Sequence, residues 1–163
     1  AKTLFPYTTL FRSSFVEEVL RYTGINPERL TLELTESLML ESVAETVQKM
    51  EDIRRLGVRF SLDDFGTGYS SLTYLKRLPL SELKIDQTFV REMTTDKNDA
   101  ALIRTIIGMA ENLSLHVLAE GVETRSQLDA LLAMGCDSYQ GYLFSKPLPV
   151  ADLEAFLTQA LKG

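Results

Sequence analysis

Short apolar runs alternate with helical patterns along most of this chain. Five runs have the length and composition of β-strands, and they cover residues 31–35, 58–62, 82–85, 115–119 and 138–140. Amphipathic stretches lie between them. A strand followed by a helix, repeated in this way, is typical of βα units that build a parallel sheet.

Apolar residues at helical spacing define the intervening helices. Val43, Val47, Met50 and Leu56 form the first stripe, and Gly57 marks its predicted end. Further stripes cover residues 102–113 and 128–132, and a last helix is predicted over residues 150–161. Another helix is predicted to start at residue 15.

The fold that fits this order is an α/β barrel. No Gly-x-Gly-x-x-Gly follows the first predicted strand, so a dinucleotide-binding fold has no support. A (β/α)₈ barrel typically needs about 250 residues. We therefore predict an incomplete TIM-like (β/α)₈ barrel, with about five of the eight βα units present.

Residues 1–13 differ from the rest because they show neither strand nor helix periodicity. We expect them to be a non-matching segment, such as translated adapter sequence. The alternative is a genuine but irregular entry strand. Residues 14–163 then form the domain.

Composition restricts the chemistry. The net charge of −6 argues against binding to long nucleic acid. Absence of a long apolar run and of a secretory pattern suggests a cytoplasmic protein, although the parent protein could be membrane-anchored. The lone Cys136 allows no internal disulfide, and the lone His116 is interpreted as a packing residue. Any metal must therefore have oxygen ligands, which favours Mg²⁺ or Mn²⁺.

Strand alternation brings ionisable residues to one end of the barrel. Glu33, Asp63 and Lys84 each lie opposite the apolar face of their strand, and Glu120 follows the end of the next strand. Active sites of such barrels lie at the carboxyl ends of the strands. With the adjacent Asp64, these residues should converge on one mouth.

Converging carboxylates repel one another unless cations neutralise them. Two divalent ions sharing a carboxylate could clamp a phosphodiester. An isolated Asp63-Asp64 pair is more often a turn or a helix cap. The metal-site hypothesis therefore rests on the convergence of carboxylates from several strands. Gly66 and Gly68 then belong to a loop that positions the aspartates, or to a plain connector.

The residues resemble the EAL-domain family of cyclic-di-GMP phosphodiesterases. The resemblance starts at about Phe15 and rests on five motifs in order: Glu33-Leu34-Thr35-Glu36-Ser37, Asp63-Asp64-Phe65-Gly66-Thr67-Gly68-Tyr69-Ser70-Ser71-Leu72, Leu83-Lys84-Ile85-Asp86, Ala119-Glu120-Gly121-Val122-Glu123-Thr124 and Gln140-Gly141-Tyr142.

The resemblance implies metal-dependent hydrolysis of cyclic di-GMP to 5′-pGpG in bacterial signal transduction, with two Mg²⁺ or Mn²⁺ ions. It places Glu33 and Asp63 at one ion and Asp63, Asp64 and Glu120 at the other. Roles for the remaining residues follow in the same way: Lys84 at the attacking water and the phosphate, Glu120 and Glu123 in catalysis, Gln140 and Asp86 around the substrate and metal waters, and Glu36, Gly66 and Gly68 in positioning the loop.

The sequence departs from the family pattern in two respects. It contains neither the signature Glu-Ala-Leu nor the strand that carries a metal-binding asparagine. We therefore expect the chain to be the C-terminal two-thirds of an EAL domain and to be inactive by itself.

Two other hypotheses remain open: a cyclic-di-GMP receptor without hydrolysis, and a pure interaction module. The resemblance further implies that the domain can form a homodimer and that the parent protein can carry GGDEF or sensory domains.

Overall fold

The computed structural model describes residues 13–35, 43–67 and 72–160. Within them, five parallel strands form one sheet in the order β1-β2-β3-β4-β5. The strands are β1 (Thr31–Thr35), β2 (Arg59–Phe65), β3 (Glu82–Ile85), β4 (His116–Ala119) and β5 (Ser138–Tyr139). Sequential parallel strands with helical crossovers match the TIM-like α/β fold that the sequence predicts.

The helices connect these strands as expected. They are α1 (Ser13–Thr23), α2 (Val43–Arg54), α3 (Leu72–Leu75), α4 (Gln87–Glu92), α5 (Lys97–Asn112), α6 (Arg125–Ala133) and α7 (Val150–Ala160), with a 3₁₀ turn at Pro27–Arg29. The short helices α3 and α4 are absent from the sequence prediction, because neither is long enough to show a helical period. None of the helices in the described ranges has both the length and the apolar character needed to cross a membrane.

The outer face of the sheet holds the core. Phe60, Leu62, Leu83 and Ile85 are fully buried there, together with apolar helix residues such as Met50, Ile53, Ile103 and Ile106. The alternate strand positions face the other side. This sorting confirms the predicted orientation, with apolar side chains toward the helices and ionisable ones inward.

The ends of α2 and β2 are among the boundaries that differ from the prediction. Helix α2 ends at Arg54, and the chain turns back as the amide of Gly57, at φ +96°, donates to the Arg54 carbonyl over 2.8 Å. Strand β2 continues through Asp63 and Asp64 to Phe65. The prediction ended that strand too early because it treated the two aspartates as the start of the loop.

His116 is also placed differently from the sequence interpretation. It is exposed at the first position of β4, so it does not pack in the core. Strand β4 carries Glu120 at its opposite end. The two residues therefore lie at different ends of the sheet.

Candidate active site

Lys84 is the centre of a charged cluster at the carboxyl ends of the strands. Its Nζ lies 2.9 Å from Glu33 Oε1, 3.0 Å from Asp63 Oδ1 and 2.7 Å from Glu120 Oε1. The Lys84 side chain is only 6% exposed. Four neighbouring strands thus bring one ammonium and three carboxylates together, as strand alternation predicts.

The charge state of Lys84 follows from these contacts. Burial by itself would lower the pKa of Lys84, but hydrogen bonds to Glu120, Glu33 and Asp63 outweigh it and raise the pKa above its ordinary value. The ammonium is therefore kept protonated. It supplies a fixed positive charge at the floor of the cluster.

A β-bulge brings Asp63 and Asp64 to the same mouth. Leu62 pairs with Leu83 and Phe65 with Ile85, so two aspartates lie opposite the single Lys84. Asp64 adopts a left-handed conformation with φ +54°. Regular alternation would point the Asp64 side chain to the outer face of the sheet, away from Asp63. The extra residue that the bulge inserts into β2 breaks this alternation, so both aspartates can reach the same end of the barrel.

Three carboxylates come close enough to share an ion. One oxygen each from Asp63, Asp64 and Glu120 lies within 4.8 Å of the other two. Hard divalent cations such as Mg²⁺ and Mn²⁺ take carboxylate ligands. The residues therefore fit the metal chemistry that the sequence analysis expects, with oxygen ligands alone.

Asp64 and Asp86 form a carboxyl pair beside this group. Burial, the charge of Asp63 and a hydrogen bond to Asp86 raise the pKa of Asp64. Burial alone would raise the pKa of Asp86 too, but hydrogen bonds from Thr88 and from Asp64 lower it. Of the two carboxyls, Asp64 therefore takes up a proton first as the pH falls.

Asp86 is fixed by the helix that follows it. It caps the N-terminus of α4, where it accepts a 2.8 Å hydrogen bond from the Thr88 amide and another from the Thr88 hydroxyl. Asp86 is nearly buried, at 8% exposure. Helix α4 therefore holds the carboxylate that pairs with Asp64.

Glu120 is held from two sides. Its amide donates to the Ile85 carbonyl over 3.1 Å, which extends the ladder between β3 and β4. Its Oε1 accepts a 2.8 Å hydrogen bond from Gln140 Nε2, in addition to the contact with Lys84. Gln140 follows β5, so the fifth strand also contributes to the cluster.

The remaining predicted residues have different positions. Glu123 is exposed, and the structure describes a hydrogen bond for its backbone amide only. Gly66 has φ +99° and lies against Phe89 of α4, and its loop-positioning role stays a prediction. Glu36 and Gly68 lie outside the described residues.

Sequence reasoning missed two polar residues that support the site. Thr88 binds Asp86, and the nearly buried Gln127 binds the loop after β4. Thr124 and Gln127 have the spacing of a helix capping box, which was a readable signal. Thr88 offered no comparable pattern.

Comparison with known proteins identifies relatives of this chain. A family model described as "EAL domain" matches residues 5–147. Cyclic di-GMP phosphodiesterase NbdA of Pseudomonas aeruginosa is 47% identical over 153 residues, which cover 92% of this chain and 20% of that protein. The chain thus spans about a fifth of the length of the curated relatives it matches first.

Solved structures show the same fold. The "PaMucR Phosphodiesterase, c-di-GMP complex" has a TM-score of 0.82 and 44% identity, over 86% of this chain and 57% of that one. A manganese and cyclic-di-GMP complex of Klebsiella pneumoniae BlrP1 has a TM-score of 0.76 and 30% identity, over 82% of this chain and 34% of that one. The match of the family model to most of the chain, together with these likenesses, shows that the chain belongs to the EAL-domain family.

Proposed function

We propose that this chain is part of a phosphodiesterase that hydrolyses cyclic di-GMP to 5′-pGpG with two Mg²⁺ or Mn²⁺ ions. The observation that carries the proposal is the group of Asp63, Asp64 and Glu120 around Lys84. It is supported by relatives named as cyclic-di-GMP phosphodiesterases.

The charge of the cluster explains why cations are needed. Glu33, Asp63 and Glu120 contact a single ammonium, and Asp64 lies beside them. A phosphodiester would meet net negative charge at this mouth. Divalent ions, when bound, would offset that repulsion, polarise the phosphate and lower the pKa of an attacking water.

The residues divide into holding and positioning roles. We assign Glu33 and Asp63 to one ion, and Asp63, Asp64 and Glu120 to the other, so that Asp63 is the shared ligand. Lys84 would orient water and stabilise charge on the phosphate. We assign supporting roles to Gln140, which donates a hydrogen bond to Glu120, and to Asp86, whose carboxyl helps to raise the pKa of Asp64.

Hydrolysis is tested on the full-length gene product that contains this sequence. We expect chromatography to show 5′-pGpG formation with Mg²⁺ or Mn²⁺ and none with chelator. Asp63→Asn should lower the rate by more than about 100-fold, beyond the usual effect of a residue that only supports a ligand. Asp129→Asn is the matched control, because Asp129 is exposed and pairs with Arg125 on α6.

Other results of the hydrolysis assay would contradict the metal mechanism or favour a receptor. Hydrolysis that persists in chelator would contradict the metal mechanism. Tight binding of cyclic di-GMP without turnover would favour a receptor. MucR is named as a bifunctional diguanylate cyclase and phosphodiesterase, and we propose that the full-length protein likewise joins its EAL domain to further signalling domains.

A further inference from the structure

We propose that Gln127 is a positioning residue for the loop that carries Glu120 and Glu123. This inference rests on the proposed function, since it assumes that Glu120 binds a metal ion. Gln127 lies in the first turn of α6 and is only 5% exposed. Among the residues that the structure describes, it belongs to a small set of buried polar side chains, and its hydrogen bonds go to groups outside the charged cluster.

The Gln127 side chain fixes the backbone at the end of this loop. Its Oε1 accepts hydrogen bonds from the amides of Glu123 and Thr124, each over 2.9 Å. Both amides precede α6 and have no backbone partner in that helix, so the Gln127 side chain supplies their acceptor. One side chain therefore sets the direction in which the chain leaves Glu123.

The same side chain reaches the helix that follows β3. Gln127 Nε2 lies 3.5 Å from the Arg91 carbonyl at the end of α4. Helix α4 begins at the Asp86 cap, two residues after Lys84. Gln127 thus joins the loop of Glu120 to the element that holds Asp86.

A second contact pins the start of the loop to the same helix. Gly121 has φ +70°, and a Cβ at this position would lie 2.5 Å from Gln87 Cβ. The loop from Glu120 to Thr124 is therefore held against α4 at both ends, by Gly121 at Gln87 and by Gln127 at Arg91. Loss of the second anchor should let Glu120 and Glu123 move relative to Lys84.

If Gln127 acted only as part of the helix cap, removing the other half of the capping box would have the same effect as replacing Gln127. Thr124 is the other half of the capping box, and its Oγ1 accepts a 3.3 Å hydrogen bond from the Gln127 amide. Removing this hydroxyl weakens the start of α6 but leaves the bonds to the Glu123 and Thr124 amides. Thr124→Val therefore separates helix stability from loop position.

The test uses the 163-residue chain and two measurements. Hydrogen exchange reports the Glu123 and Thr124 amides, and calorimetry reports affinity for Mn²⁺ without requiring turnover. Gln127→Met should speed exchange at both amides at least tenfold and weaken Mn²⁺ binding about 10–100-fold, as loss of support for a metal ligand typically does. Gln127→Glu retains the acceptor, so exchange at both amides should stay within about threefold of wild type. It lacks the Nε2 donor to the Arg91 carbonyl, so Mn²⁺ binding should remain weakened.

Thr124→Val should destabilise the protein, yet leave Mn²⁺ affinity within about threefold of wild type. Equal loss of affinity in Thr124→Val, or unchanged amide exchange in Gln127→Met, would overturn the inference. If the methionine variant does not fold, Gln127→Ala gives the same comparison. A wild-type chain that binds no Mn²⁺ would refute the proposed metal centre, and the exchange rates would still decide whether Gln127 holds the loop.

Discussion

Lys84 combines strong burial with contact to three carboxylates from three neighbouring strands. An ammonium in such a place is stable only because the carboxylates compensate for lost hydration. The same charge is suited to bind a phosphate oxygen. One residue can therefore organise the carboxylates and take part in the chemistry.

Lys84→Met should abolish hydrolysis of cyclic di-GMP in the full-length protein while metal binding persists. Bound Mn²⁺ would neutralise the carboxylates in place of the ammonium, but no lysine would orient water or meet the developing charge. A rate assay beside Mn²⁺ calorimetry checks this, with Lys146→Met as the control, because Lys146 is exposed and lies over the Tyr142 ring. Normal turnover in the Lys84 variant would reduce Lys84 to a structural ion-pair partner.

The convergence of the charged side chains was predictable from sequence, but the individual contacts between them were not. Alternation placed Glu33, Asp63 and Lys84 inward because Leu83 and its apolar neighbours had to face the helices. Asp64 needed more than alternation. Its position depends on the register between β2 and β3, which no local pattern in β2 reveals.

Among elements, helix α4 has more influence on the site than its length suggests. It begins at Asp86, packs Phe89 near Gly66, and meets Gly121 through Gln87. Three loops of the mouth are thus held by one short helix. Its stability should depend on its cap, since a helix of this length has little stability by itself.

Asp86→Ala should destabilise the protein by about 1–2 kcal/mol at neutral pH through loss of the N-cap. The pKa of Asp86 is lowered in the folded state from 3.8. The stabilisation is therefore fully present above 3.8 and is lost as the pH falls through the lower folded value. The difference in the free energy of unfolding between Asp86→Ala and wild type should therefore shrink in acid.

Denaturant unfolding at a series of pH values tests this expectation. Asp96→Ala is the matched control, because Asp96 caps α5 through the Asn98 amide in an exposed position. A cost for Asp86→Ala that stays constant from neutral pH into strong acid would contradict the role of its ionised carboxylate.

Gly121→Ala should cost about 1–3 kcal/mol or more, because the new Cβ would meet Gln87 and the backbone conformation is left-handed. Gly108→Ala is the contrast. Gly108 lies inside α5 with open space around it, so alanine should stabilise that helix by about 0.5–1 kcal/mol. Thermal unfolding of both variants tests this contrast. Equal changes in Tm for the two variants would argue against a tight contact at Gly121.

On the scale of the whole molecule, the order of strands and helices could be predicted because each βα unit repeats the same hydrophobic pattern. The site depends on contacts that cross between units, such as Gln140 with Glu120 and Gln127 with Arg91. Those contacts join residues far apart in sequence. Periodicity within one element contains no information about them.

The described part of the molecule leaves considerable apolar and polar surface open. Helix α7 exposes Val150, Leu153, Phe156 and Leu157, a stripe at helical spacing. At the other edge of the sheet, Glu33 of β1 is 53% exposed although its carboxylate contacts Lys84. Closed barrels remove such edges and bury such faces.

The 163-residue chain expressed alone should therefore show no measurable hydrolysis of cyclic di-GMP and only modest stability. It holds Asp63, Asp64, Glu120 and Lys84, but its sequence contains no Glu-Ala-Leu, so the ligands expected from that segment are missing. Asp63, Asp64 and Glu120 can hold one ion, but only Glu33 and Asp63 remain for the other, whereas clamping both sides of a phosphodiester requires two bound ions. The exposed α7 stripe should also favour association between chains. Sedimentation, thermal unfolding and an assay for 5′-pGpG with Mg²⁺ test this together; a monomer with a sharp transition and Mg²⁺-dependent turnover would show that the residues present are sufficient for catalysis.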